Sequence, residues 1–101
     1  MRYSIKILPR AEQDIDNAYE WYELQKANLG KLFLNELVLN YEKLAVNPFI
    51  FSQIERNYRQ AIMHRFPYVI IYKIEPTQVI IFSVFHTKQN PRKKFESEPD
   101  Q

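Results

Sequence analysis

The chain has 101 residues, enough for one domain with a modest core. It holds no cysteine, which excludes disulfides, thiolate catalysis and cysteine metal sites. The net charge of +2 is unevenly placed: residues 51–101 carry 8 Lys/Arg against 5 Asp/Glu, and residues 1–50 carry 6 against 7. A basic C-terminal half points to an anionic partner.

Residues 3–8 alternate, which predicts a strand with Tyr3, Ile5 and Ile7 on one face. Pro9 ends that strand and is tolerated in the first turn of a helix. Glu12, Asp14 and Asp16 then fall near the positive end of the helix dipole. Ile15, Ala18, Tyr19 and Tyr22 recur at helical spacing and make one apolar stripe. Trp21 and Tyr22 read as hydrophobic support rather than a base-stacking platform. The helix fades near Lys26, and the break that follows contains the chain's sole glycine, Gly30. One glycine also means no glycine-rich phosphate loop, and no other cofactor motif is present.

A second helix is predicted from about Leu29 to Ala45, stopped by Asn47-Pro48. Leu29, Leu32, Phe33, Glu36, Leu37, Asn40, Tyr41 and Leu44 lie along one, mostly apolar side. Beyond it the pattern is β: a weak strand over 51–54, a moderate one over 58–64, and two strong ones over 68–74 and 79–85. The last two flank Glu75-Pro76-Thr77-Gln78 as a hairpin. The order β-α-α-β-β-β(-β) predicts an α+β two-layer domain, an antiparallel sheet packed against a helical hairpin. Residues 1–95 form the domain and 96–101 a polar tail. The N-terminal residues are too polar for a signal peptide, and no run reaches membrane-spanning length. The expected location is the cytoplasm.

Alternation along the strand over 58–64 would place Arg59 and Arg65 on one face, with Ala61 and Met63 between them. Such a pair either grips phosphate or carboxylate, or is solvated or paired with helix acids such as Asp14. His86 closes the last strand; it is a general acid/base or phosphate contact, or a structural histidine fixed by a hydrogen bond. No carboxylate lies near it in sequence, which favours the structural role. Lys88, Arg92, Lys93 and Lys94 form a basic cluster after that strand. No serine has a neighbouring base motif, no carboxylate pair is evident, and no His/Asp/Glu cluster has metal-ligand spacing.

Several elements carry a resemblance: Leu8 with Ala11 and Asp14, Trp21-Tyr22-Glu23, Leu29-Gly30 with Phe33, Asn47-Pro48, Arg59, the run from Arg65 to Tyr72, and His86 through Pro91. In order and spacing they resemble the RelE/ParE superfamily of type II toxin–antitoxin toxins, in particular the ParE-like, plasmid-stabilisation branch. The resemblance implies the same fold, no cofactor, and a cognate antitoxin whose disordered segment wraps the toxin. RelE-like members are ribosome-dependent mRNA endonucleases that use lysines and arginines at the scissile phosphate. Here the matching positions hold Arg59, Ala61, Val69 and Gln89. Losing one such cation commonly costs about 100-fold. The resemblance therefore implies a ParE-like inhibitor that binds DNA gyrase, and the basic margin is expected to supply its target-binding residues, Arg59, Arg65, His86, Lys88, Arg92 and Lys93. The alternatives are an endonuclease acting on ribosome-bound mRNA through Arg59, Arg65, Lys88 and Arg92, or a non-toxic member of the family.

Overall fold

The computed structural model describes residues 2–88. In chain order it contains β1 (Ser4–Ile7), α1 (Pro9–Gln25), α2 (Leu29–Val46), a short 3-10 turn (Pro48–Ile50), β2 (Tyr58–Ile62), β3 (Tyr68–Ile74) and β4 (Gln78–His86). Pro9 occupies the first turn of α1, where a missing N–H costs nothing. Asn28 supplies the left-handed residue between the helices, with φ of 72°. The α2 N-terminus is capped from α1: the Glu23 carboxylate accepts from the Asn28 N–H at 3.3 Å and the Gly30 N–H at 2.8 Å.

Gly30 therefore sits inside α2 and has no positive φ. Its role is close approach. A Cβ there would lie 2.8 Å from the Tyr19 carbonyl oxygen and 2.7 Å from side-chain atoms of Tyr19 and Glu23. The helices can meet this closely because that position has no side chain.

The sheet order is β1-β4-β3-β2. The β2–β3 and β3–β4 pairs are antiparallel, and the hairpin closes through the Glu75 N–H, which donates to the Gln78 carbonyl at 2.8 Å. The β1–β4 pair is parallel, with Ser4 opposite Gln78 and Ile7 opposite Ile81. The sheet is thus mixed rather than wholly antiparallel, as a long crossover through both helices permits. The segment 51–54 forms no strand, only an isolated bridge between Gln53 and Arg59. Asn47 and Pro48 start the 3-10 turn instead, the Asn47 Oδ1 accepting from the Phe49 N–H at 3.1 Å.

Both sheet faces are apolar. Ala61, Ile70, Tyr72, Val79, Ile81 and Val84 pack against the helices, which contribute Ala18, Tyr22, Phe33, Leu37 and Leu44. Each large side chain buried there contributes about 1.5–3 kcal/mol. Tyr58, Val69, Ile71, Phe82 and Phe85 form a second cluster. The β3–β4 register slips between Ile71 opposite Ser83 and Tyr72 opposite Ile81, so Phe82 is the extra residue of a bulge. No described helix is long and apolar enough to cross a membrane.

Candidate functional site

The predicted basic residues separate into two places. Arg59 lies opposite Tyr72 on β2. Its Nη1 donates to the Phe51 carbonyl at 2.7 Å and to the Phe49 carbonyl at 3.5 Å, and its guanidinium lies 5.3 Å from the Phe49 ring centroid. It straps the 49–51 segment to the sheet. Arg65 does not share its face, because β2 ends at Ile62 and Arg65 lies in the turn beyond. The cause is Glu36, a buried carboxylate on α2 that pulls the chain out of the strand. It accepts from the His64 N–H at 2.6 Å and the Arg65 N–H at 3.1 Å.

The structure does bring Arg65, His86 and Lys88 to one end of the sheet. Tyr68 pairs with His86, and the Thr87 N–H donates to the Pro67 carbonyl at 2.8 Å. The His86 Nδ1 accepts from the Lys88 N–H at 3.0 Å, which places the proton of the neutral ring on Nε2. The side chains of Arg65 and Lys88 are exposed. Arg92, Lys93, Lys94 and Gln89 lie outside the described residues. Val69 is buried opposite Ile62, whereas Arg59 and Ala61 pair with Tyr72 and Ile70 in the neighbouring, alternate positions. Side chains of those two sets point to opposite sheet faces.

Beside this end lies a concavity that sequence reasoning missed. Asp14, Asn17, Ala18 and Trp21 recur along one side of α1 and line a hollow of about 220 Å³ with Tyr68, Val84 and His86. An adjoining hollow of about 340 Å³ shares Trp21, Tyr68 and His86 and adds Tyr22. Trp21 is 56% exposed, not the core support expected of it. Its ring meets Tyr22 edge-on at 5.2 Å, Tyr22 meets Tyr68 at 6.2 Å, and Tyr68 meets His86 at 5.0 Å.

Asp14 is held in place by β4. Its Oδ2 accepts from the Ser83 hydroxyl at 2.9 Å and the Val84 N–H at 3.0 Å. Val84 lies past Ile81, where β1 pairing stops, so its N–H needs an acceptor from outside that strand. Burial, then the neighbouring Tyr22 and Asp14, hold the Tyr68 phenol above its ordinary pKa, and burial does the same for Tyr22. Both phenols are therefore neutral hydrogen-bonding groups at physiological pH. Among the described residues, no lysine or arginine lines either hollow. The helical spacing of Asp14, Asn17 and Trp21 was the available signal, since a tryptophan in register with polar residues sits off the buried stripe.

A sheet of order β1-β4-β3-β2 under a helical hairpin is the architecture of ParE and RelE toxins. The fold is similar to that of a chain in the chromosomal ParDE toxin–antitoxin system of P. aeruginosa, with a TM-score of 0.76 and 16% identity over 86% of this chain and 98% of that one. It is also similar to a chain of the RelBE2 toxin–antitoxin complex of Mycobacterium tuberculosis, with a TM-score of 0.59 and 16% identity over 85% and 99%. No curated protein sequence matches significantly. The sequence profile of the ParE toxin of the type II toxin–antitoxin system parDE matches residues 5–91. The chain belongs to the ParE toxin family.

Proposed function

We propose that this ParE-type toxin acts by binding DNA gyrase rather than by cutting RNA, and that a cognate antitoxin neutralises it. The observation that carries this reading is that strand positions an endonuclease would use for cations are committed elsewhere or apolar. Arg59 is committed to the 49–51 segment, Ala61 and Val69 are buried on opposite faces, and the hollow beside His86 is lined by Asp14 and aromatic rings. A phosphorane-like transition state requires several positive groups converging on one phosphate. Binding a protein surface has no such requirement. Arg65, His86 and Lys88 form the described part of the target-binding margin, which Arg92 and Lys93 extend along the chain.

The test is inducible expression in a bacterial host, following growth, translation and DNA-damage signalling together. Filamentation with DNA damage and early translation intact is the expected result. A rapid translation block with cleaved mRNA would overturn the reading in favour of the ribosome-dependent endonuclease.

A further inference from the structure

We propose that the hollow between α1 and the adjoining ends of β3 and β4 is a socket for an arginine side chain of a partner protein, an inference resting on the reading that the chain acts by binding proteins. Three features select that ligand. The walls of the two adjoining hollows are steeply inclined rings, with interplanar angles of 84° for Trp21–Tyr22, 65° for Tyr22–Tyr68 and 82° for Tyr68–His86. A flat guest can stack on the exposed indole while its edge meets the other rings. One end of the hollow carries the Asp14 carboxylate and the Asn17 amide. The hydrogen bonds that fix Asp14 both fall on Oδ2, so the rigid carboxylate has its other oxygen for a donor.

A guanidinium meets all of these at once: it is planar, charged, rich in edge donors and weakly hydrated. A nucleobase would also stack, but it would bring phosphate towards Asp14. The surroundings extend the prediction to the partner's sequence. Arg65 and Lys88 are exposed at the same end of the sheet, tied together by the Thr87–Pro67 hydrogen bond. The arginine that enters the socket should therefore have acidic neighbours in its own chain.

Trp21 is the sole tryptophan, so its fluorescence reports on the socket directly. The probes are a capped Glu–Arg–Glu tripeptide, the same peptide with citrulline in place of arginine, and AMP. Citrulline keeps the planar shape and removes the charge. The expected result is a saturable fluorescence change with the arginine peptide, about tenfold weaker with citrulline. Asp14→Asn, which keeps an oxygen for Ser83 and Val84 and leaves the Trp21 indole in place, should shrink that difference. Equal response to both peptides, no response, or tighter binding of AMP would overturn the proposal, the last assigning the hollow to a nucleobase. Should Asp14→Asn fail to fold, Trp21→Leu at its exposed position takes its place, with binding read from the backbone amide shifts of His86 and Lys88. Undiminished peptide binding by that variant would also overturn the socket. Failure here with gyrase-type arrest intact in cells would remove the socket alone. Peptide binding without such arrest would instead remove the proposed function.

Discussion

Two tyrosines offer the same substitution with opposite consequences. The Tyr72 side chain is fully buried, and its hydroxyl donates to the Pro48 carbonyl at 2.6 Å. The Tyr41 hydroxyl is also buried, but among the described residues it has no hydrogen-bond partner. Tyr72→Phe removes a bond and strands a buried carbonyl, which costs about 1–3 kcal/mol. Tyr41→Phe removes an unsatisfied group and loses no bond, so stability should rise by up to about 1 kcal/mol. At roughly 4–8 °C per kcal/mol for a domain of this size, the two variants should melt on the order of 10 °C apart or more, on either side of the parent. Thermal unfolding followed by circular dichroism measures this. Equal destabilisation by both changes would refute the assignment. Alkali supplies an independent arm. Burial holds the Tyr72 phenol up to about 12, against a smaller lowering by Arg59, and raises that of Tyr41 as well. The unfolded chain ionises first, near pH 10. Stability from these groups is therefore complete below about pH 10; the Tyr72 share is lost as pH rises through about 12, and the Tyr41 share persists to higher pH. Either Phe variant should show a shallower alkaline decline than the parent.

Glu36→Ala leaves the His64 and Arg65 N–H groups without their carboxylate, two charge-assisted bonds together worth about 3 kcal/mol; urea unfolding should find that loss, and a change below about 0.5 kcal/mol would mean the turn is held by something else. Gly30→Ala forces a Cβ to within 2.8 Å of the Tyr19 backbone and should destabilise by about 1–3 kcal/mol despite alanine's better helix propensity; a rise in melting temperature would contradict the close approach. Arg59→Ala should free the 49–51 segment, seen as faster amide exchange at Phe49 and Phe51 with β3 and β4 protection unchanged; identical exchange rates would show that the strap is dispensable.

The parts of the fold that depend on local pattern were legible. The hairpin of β3 and β4 announces itself by two β-branched and aromatic runs around Glu75-Pro76-Thr77, and Asn47-Pro48 marks the end of α2 within one residue. The direction of β1 was not legible, because a four-residue strand carries no information about which neighbour it joins after two helices. Residues 51–54 have strand-like composition, but Pro48 and the positive φ values at Arg56 and Asn57 reshape the segment. Arg65 left its expected face for a tertiary reason, since the Glu36 carboxylate is remote in sequence from the turn it satisfies. The hollow was hidden for a related reason. Asp14 and Trp21 look ordinary on α1, and only the docking of β4 places His86 and Tyr68 opposite them.

The parallel pairing of β1 with β4 also sets how the domain answers to force. Both strands run the same way, so tension applied at the start of β1 and the end of β4 loads their hydrogen bonds along the strands, in shear. Such bonds fail together rather than one at a time. The socket residues lie against β4 just past this seam, at Ser83, Val84 and His86. A machine threading the polypeptide from its N-terminal side must therefore rupture the whole seam before α1 and the site deform, and the domain should resist extraction from that side beyond what its modest core alone provides.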